Sequence, residues 1–148
     1  MTSRKVILET SARLHFNSLK MNQAGNRGCG GIGLALDNPV FKMEFSLDGC
    51  LNVVGGDEYV RNRIVFFAKR ILEHIGVASG VKIEIKNIFS SHIGLGSGTQ
   101  LGLCVGKGIS LLFGKKVSLE DIARSSGSAG VSGIGYYAFK KGGFIVDG

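Results

Sequence analysis

Gly94-Leu95-Gly96-Ser97-Gly98-Thr99-Gln100 carries the clearest structural signal in this chain. It follows an alternating strand pattern and precedes a long apolar helix pattern. Glycines at alternate positions let main-chain N–H groups converge, because no Cβ atom obstructs them. The helix that we expect to begin at Thr99 or Gln100 adds unpaired N–H groups and the positive end of its dipole. Strand, glycine turn and helix start together predict a phosphate-binding site.

The spacing of these glycines differs from that of two common phosphate loops. No Lys-Ser or Lys-Thr pair follows them, as a Walker loop requires, and the third glycine comes too early for a dinucleotide-binding fingerprint. A bare strand-to-helix turn would need fewer glycines and hydroxyl groups than are present here. We therefore predict that all seven residues contact an anionic substrate: Gly94, Leu95, Gly96, Ser97, Gly98, Thr99 and Gln100.

The composition fits one globular domain over residues 1–148. Apolar residues make up 44% of the chain and charged residues 20%, which disfavours disorder. The 24 glycines gather in clusters, which suggests main chain held close to a ligand. The net charge is +7, yet Lys and Arg are scattered among acidic residues, so an anionic metabolite is favoured over nucleic acid.

Cysteine usage and hydropathy predict a cytoplasmic protein. Cys29, Cys50 and Cys104 are odd in number and far apart, which favours free thiols in a reducing compartment. The apolar segment 101–113 is too short to cross a bilayer and contains Lys107. The first residues run straight into a strand pattern, so we expect no signal peptide and no membrane segment.

The periodicity of the sequence predicts an α+β fold with a sheet packed against helices. Asp48-Gly49 predicts a tight hairpin whose return strand is 51–54. Asp57 is placed to cap a helix over 58–75 that Gly76 ends. Glycines within the apolar helix 101–113 predict close packing on the sheet. The other predicted elements are strands at 5–10, 12–16, 34–36, 43–47, 81–85 and 144–146, a glycine-rich connection at 25–33 and a short helix after Ser118.

Arg13 and His15 are the first candidate ligands outside the glycine loop. Strand alternation places both on one face, and we expect Leu14 and Phe16 to pack behind them. The guanidinium of Arg13 suits a carboxylate or a phosphate. The alternative is an ordinary pair of solvent-facing polar residues.

Other polar residues near the glycine clusters are weaker candidates. His92 precedes the first loop and, like His15, is a candidate acid or base; a structural histidine is the alternative. Asp147 is a candidate catalytic residue or metal ligand, and an Asp-Gly turn is its alternative. Residues 125–135 form either a second ligand loop, with Ser132 and Gly133 contacting substrate, or a simple connection. The segment 26–28 is either a further anion contact or a surface loop.

The glycine loop resembles the Gly-Leu-Gly-Ser-Ser-Ala signature of the galactokinase, homoserine kinase and mevalonate kinase (GHMP) superfamily, which wraps nucleotide phosphates. The resemblance covers essentially the whole chain. It implies the N-terminal domain of that fold, which resembles ribosomal protein S5 domain 2, with a C-terminal domain expected outside residues 1–148.

Two departures separate this sequence from the kinases. Their later motif, Ser-Gly-Val-Asp, corresponds to Ser132-Gly133-Ile134-Gly135, so Gly135 stands where they place a catalytic aspartate. Gly98 replaces a hydroxyl residue that helps to hold Mg²⁺ and phosphate. ATP-dependent phosphorylation by a small-metabolite kinase is therefore the second hypothesis. A non-catalytic S5-like module, acting on RNA, is the third.

Four ordered motifs resemble a non-kinase branch, the β-ribofuranosylaminobenzene 5′-phosphate synthases of methanopterin biosynthesis. They lie at residues 12–16, 30–36, 94–100 and 142–148. The resemblance implies that phosphoribosyl pyrophosphate reacts with 4-aminobenzoate or 4-hydroxybenzoate, releasing pyrophosphate and CO₂. It also implies Mg²⁺, with Ser97 as a candidate ligand, and is compatible with a homodimer.

The resemblance also suggests roles for individual residues. The loop 94–100 would hold pyrophosphate, and Arg13 or His15 would bind substrate through the benzoate carboxylate. The segment from Ser132 to Gly135 would lie near the reacting carbon.

Overall fold

A five-stranded sheet with helices on one face forms the framework. The structure is a computed structural model and describes residues 4–20, 29–89, 97–127 and 133–147. Its elements in chain order are β1 (Lys5–Lys20), β2 (Cys29–Asp48), β3 (Asn52–Val54), α1 (Glu58–His74), β4 (Gly80–Asn87), α2 (Ser97–Leu112), α3 (Leu119–Ser125), α4 (Gly133–Lys141) and β5 (Phe144–Asp147). The strand order is β1-β2-β4-β3, and β5 pairs with the first part of β2. This arrangement confirms the predicted α+β class.

The central helix α2 is buried against the sheet, as its apolar sequence predicted. Three of its glycines lie in close contact with neighbouring elements. A Cβ atom at Gly108 would lie 2.3 Å from the ring of Phe45 in β2, and one at Gly106 would lie 2.3 Å from Ile122 in α3. A Cβ atom at Gly102 would lie 3.2 Å from Cβ of Ser126 and 3.4 Å from the ring of Phe67 in α1, a tight contact without a collision. The glycines therefore allow α2 to approach all its neighbours closely.

Helix α1 begins and ends where its capping residues predicted. The side chain of Asp57 accepts a hydrogen bond from the main-chain N–H of Val60. Gly76 follows the helix with a φ of +65°, a conformation that glycine adopts without strain. The apolar stripe of α1 is buried at Val60, Ile64 and Ile71.

The predicted Asp48-Gly49 hairpin is wrong. The side chain of Asp48 accepts a hydrogen bond from Gly49, so a local turn forms, but β3 pairs in parallel with β4 and not with β2. β4 lies between β2 and β3 because its alternating apolar residues lie beside the buried residues of β2. Phe45 of β2, for example, pairs with Ile83 of β4. Gly80 lets the chain after β2 pass the start of β4, since a Cβ there would lie 2.3 Å from the nitrogen of Cys50.

The buried face of this part of β1 is also the opposite of the expected one. Arg13 and His15 share a face, because they pair with Ala35 and Gly33, but this is the face that α4 covers. Arg13 is buried, whereas Phe16 is 57% exposed on the other face, so the expected packing of Phe16 is wrong. The predicted connection 25–33 is also too long, since β2 begins at Cys29.

The face of the sheet opposite the helices carries mixed charge. Lys5 donates to Glu44 at 2.7 Å, and Lys42 lies 2.8 Å from Glu9. The hydrogen bond from Lys5 lowers the pKa of the Glu44 carboxyl. These alternating charges do not form the continuous basic stripe that a nucleic-acid surface requires.

Candidate functional site

The first turn of α2, residues 97–100, is the described part of the predicted anion loop. The helix begins at Ser97, two or three residues before the expected start, so the main-chain N–H groups of Ser97, Gly98 and Thr99 belong to its N-terminal turn. These donors and the helix dipole favour an anion at this end. Gly94, Leu95, Gly96 and the Ser97 side chain lie outside the described residues.

The side chain of Gln100 points away from this turn and joins three elements. It is fully buried. Its Oε1 accepts a hydrogen bond from Thr10 of β1 at 2.7 Å, and its Nε2 donates to the carbonyl oxygen of Gly135 in α4 at 2.8 Å. Gln100 thus positions β1 and α4 beside the start of α2. Both polar atoms of its amide form hydrogen bonds to protein groups.

Arg13 places a buried cation in the same region. Its exposure is only 8%, and its Nε has no hydrogen-bond partner among the described residues. Within that part of the chain, no carboxylate forms an ion pair with it. Burial lowers the pKa of Arg13, although a guanidinium remains charged at neutral pH. A buried, unpaired cation is costly, and an anionic ligand would offset that cost.

Gly135 lies where the side chains of Arg13 and Thr99 meet. A Cβ atom at this position would lie 2.9 Å from Cγ2 of Thr99 and 3.0 Å from Nε of Arg13. Real Cβ atoms are essentially never found much closer than this, so a larger side chain would have to displace both neighbours. The space that an aspartate would need is occupied by a cation.

Gly133 and Gly135 are helical and do not belong to a loop, so the expected loop over 132–135 is wrong for these two residues. Gly133 opens α4, and a Cβ there would lie 1.9 Å from Oδ2 of Asp147. The carboxylate of Asp147 therefore packs against the N-terminal turn of α4, where the helix dipole stabilises a negative charge. This contact gives Asp147 a structural role that the sequence did not indicate. Ser132 lies outside the described residues.

A cavity of about 420 Å³ opens between α1 and the residues that end α3. We call it the aromatic cavity; its lining includes Tyr59, Asn62, Arg63, Phe66, Phe67 and Ser126. The guanidinium of Arg63 lies 5.1 Å from the ring centre of Phe67 and 6.0 Å from that of Tyr59. Its Nη2 also lies 3.4 Å from the Cβ position at Gly98. Arg63 thus connects the cavity with the predicted anion loop.

Arg63 was not among the residues that the sequence predicted to contact a ligand. A signal was present: Tyr59, Arg63 and Phe67 are spaced four residues apart, which places them on one helix face. Of the predicted site residues, the structure brings together Arg13, Gly98, Thr99 and Gln100. His15 is exposed on the α4 side of β1, and His92 lies outside the described residues.

Comparison with known families identifies the fold family of this chain. Residues 62–143 match the family described as "GHMP kinases N terminal domain". The match spans more than half of the chain, from α1 to the end of α4.

The chain belongs to the GHMP family.

Two curated relatives of this GHMP domain carry the same name. The chain is 40% identical to "Beta-ribofuranosylphenol 5'-phosphate synthase" of Methanocaldococcus jannaschii, covering 97% of this chain and 47% of that protein. It is 36% identical to the protein of that name from Archaeoglobus fulgidus, covering 95% of this chain and 44% of that protein. The chain therefore spans about half the length of the curated relatives it matches.

Among solved structures, the GHMP domain resembles mevalonate kinase of Methanococcus jannaschii. The TM-score is 0.69 at 16% identity, with 99% of this chain and 54% of that chain covered. At this identity the likeness establishes the fold alone.

Two further properties of the GHMP domain concern metals and membranes. The described residues contain no group of three or more His, Cys, Asp or Glu side chains that could hold a metal ion. Within residues 4–20, 29–89, 97–127 and 133–147, no helix combines the length and apolar character that a membrane crossing requires.

Proposed function

We propose that this domain forms the phosphate-binding half of a β-ribofuranosylphenol 5′-phosphate synthase. The substrates are phosphoribosyl pyrophosphate and a 4-substituted benzoate. The names of the curated relatives specify a phenol, which favours 4-hydroxybenzoate over 4-aminobenzoate as the acceptor. Pyrophosphate and CO₂ are the other products.

One observation supports this function over phosphorylation by ATP. The kinase family places an aspartate at the position of Gly135, and here Arg13 and Thr99 occupy the space beside that glycine. A kinase needs a carboxylate to take the proton of its acceptor hydroxyl. The residues around Gly135 are instead suited to hold a negatively charged group next to Arg13.

The proposed reaction needs no such base. The bond between C1 of the ribose and the pyrophosphate oxygen breaks, and pyrophosphate leaves with the electron pair. The ring carbon that carries the carboxylate forms a bond to C1. The bond from that carbon to the carboxylate then breaks, its electrons restore the aromatic ring, and CO₂ leaves. Charges and atoms balance without a proton transfer, so the absence of an aspartate at Gly135 is tolerable.

The domain would assist by stabilising the departing pyrophosphate. We assign this anion to the first turn of α2 and to Arg13, because Arg13 meets Thr99 of that turn beside Gly135. This differs from the benzoate contact suggested by the sequence. Preorganised donors of this kind typically contribute about 10²–10³ each to the rate of a reaction. His15, His92 and Asp147 are not needed as acids or bases in this scheme.

Mg²⁺ belongs to the proposal as a companion of the pyrophosphate. Magnesium usually takes most of its ligands from substrate phosphates and water, with only one or two carboxylates from the protein. The absence of a larger group of acidic ligands among the described residues is compatible with that mode. Bound to the pyrophosphate, the ion would supply additional positive charge to the leaving group.

Product analysis with the intact protein tests the function. We expect phosphoribosyl pyrophosphate and 4-hydroxybenzoate to yield equal amounts of pyrophosphate and CO₂, with ¹⁴C-carboxyl-labelled benzoate reporting the CO₂. ATP should yield no ADP with either substrate. Formation of ADP from ATP and a small metabolite, without pyrophosphate release, would support the kinase hypothesis instead.

A further inference from the structure

The residues that line the aromatic cavity differ from those that we assign to the pyrophosphate. Phe66 is 51% exposed and Tyr59 46% exposed, although both are large apolar residues at a concave surface. Exposed aromatic rings around a cavity are typical of a site for a flat, apolar ligand. Phe67 forms its floor, because its ring packs on Gly102 of α2.

Two cations border these rings. Arg63 lies over Phe67, and Arg70 lies 5.4 Å from the ring centre of Phe66. Arg70 also donates from Nε to the carbonyl oxygen of Ser125, so it anchors the end of α3 to α1. Arg63 forms no ion pair with any carboxylate in the part of the chain that the structure describes. The cavity therefore combines aromatic surface with a guanidinium that has no counter-ion among the described residues.

We propose that the aromatic cavity binds the aromatic acid acceptor, with its ring against Tyr59 and Phe66 and its carboxylate on Arg63. This inference rests on the proposed function and names the place and the recognising residue of its second substrate. The volume of about 420 Å³ is sufficient for one benzoate ring.

The chemistry of the reaction requires the acceptor to be in this orientation. The attacking ring carbon carries the carboxylate, so that group must lie next to C1 of the ribose. C1 in turn is bonded to the pyrophosphate at the first turn of α2. Arg63 stands between the aromatic rings and Gly98, which is where the carboxylate has to be. The opposite end of the ring then points away from the pyrophosphate.

The test compares Arg63→Gln, Phe66→Ala and Lys69→Gln in the intact protein. Lys69 is an exposed cation on the same helix that does not line the cavity, so its variant controls for the change in net charge. Circular dichroism checks that each variant folds. Arg63 and Phe66 are partly exposed, and neither substitution removes a core side chain.

We expect Arg63→Gln to raise the KM for 4-hydroxybenzoate by about tenfold or more, the typical effect of losing a charge-assisted hydrogen bond. The KM for phosphoribosyl pyrophosphate should change less than about twofold in this variant. Phe66→Ala should raise the same benzoate KM, and Lys69→Gln should change neither constant. An unchanged benzoate KM in Arg63→Gln, or an equal rise of both constants, would overturn the assignment.

A binding measurement separates this inference from the proposed function. Calorimetry with 4-hydroxybenzoate, phenol and ATP requires no turnover. Stronger binding of 4-hydroxybenzoate than of phenol, lost in Arg63→Gln, supports the cavity assignment even if no product forms. Binding of ATP that is lost in Phe66→Ala, without any binding of 4-hydroxybenzoate, makes the cavity a nucleoside site and sinks the proposal.

Discussion

Nε of Arg13 lies 3.0 Å from the position that a Cβ atom would take at Gly135. β1 and α4 are far apart in sequence, and the hydrogen bonds of Gln100 hold them together. Position 135 requires a glycine for steric reasons, because a larger side chain would displace the guanidinium of Arg13 from the first turn of α2. Under the proposed function, this contact takes the place of the aspartate that the resemblance assigns to kinases at this position.

Introducing an aspartate at position 135 should weaken the binding of pyrophosphate. In Gly135→Asp, the new side chain would collide with Thr99 and pair with Arg13, which removes the positive charge available to a ligand. We expect the affinity for pyrophosphate to fall by about tenfold or more. We expect no phosphorylation by ATP to appear. Pyrophosphate calorimetry and an ADP assay measure both effects.

The control for this variant is Gly135→Ala, which adds only the Cβ atom. It should lower the free energy of unfolding by about 1–3 kcal/mol, the usual cost of overpacking. Thr99→Ser removes the Cγ2 atom that lies 2.9 Å away and should recover part of the loss in the double variant. Wild-type pyrophosphate affinity in Gly135→Asp would contradict the assigned role of Arg13.

Replacing Arg13 should weaken ligand binding without destabilising the fold. Its Nε has no partner among the described residues, so Arg13→Gln removes the desolvation cost of a buried cation and breaks no ion pair with them. We expect the free energy of unfolding to stay the same or rise. The KM for phosphoribosyl pyrophosphate should rise by about tenfold or more, with a smaller effect on the benzoate KM.

Denaturant titration and steady-state kinetics measure the two properties separately. Lys42→Gln on the opposite face of the sheet is a control for the change in charge. A marked loss of stability in Arg13→Gln, with normal kinetics, would assign Arg13 a purely structural role.

Gly108→Ala tests the close approach of α2 to the sheet. Alanine has the higher helix propensity by about 1 kcal/mol, so the substitution would stabilise an isolated helix. Here its Cβ would lie 2.3 Å from the ring of Phe45, which is fully buried. We expect the collision to dominate and the free energy of unfolding to fall by about 1–3 kcal/mol. Gly49→Ala, where nothing lies within 4 Å, should be close to neutral.

The buried thiol of Cys104 should make stability depend on alkaline pH. Burial raises its pKa from 9.0 to about 12. Above pH 9 the unfolded chain therefore loses this proton while the folded protein keeps it, so the unfolded state binds fewer protons and stability falls as pH rises. One such group contributes a slope approaching about 1.4 kcal/mol per pH unit.

Denaturation of wild type and Cys104→Ala between pH 8 and 11 isolates this slope, because the other groups titrate in both proteins. The variant should start from a lower stability and lose less of it with rising pH. Parallel curves for the two proteins would show that the thiol ionises equally in both states.

Local signals in the sequence were sufficient to predict the ends of α1 and the burial of α2. Asp57 and Gly76 fixed the ends of α1, and the apolar run of α2 with its glycines indicated a buried helix in close contact. α4 was missed because Gly133 and Gly135 have low helix propensity. Its packing on Gly33 and Arg13 selects the helical conformation, and such contacts are not readable from a local window.

Contacts between elements that are distant in sequence account for the remaining errors of prediction. Alternation correctly placed Arg13 and His15 on one face of β1, but it could not show that α4 covers this face and leaves Phe16 exposed. The helix that follows the glycine loop was predictable because its apolar run is continuous, and the anion site at its start remains a prediction. Arg63 belongs to a distant helix, and only the packing of α1 beside α2 brings it to Gly98.

The parallel pairing of β3 with β4 has a consequence for the order of folding. During synthesis, Asn52–Val54 is complete before α1 and β4 exist, so its sheet partner arrives late. In that interval the Asp48-Gly49 turn offers β3 the edge of β2 as an alternative partner. Because β4 lies between β2 and β3, the native sheet cannot close until residues 80–87 have been made.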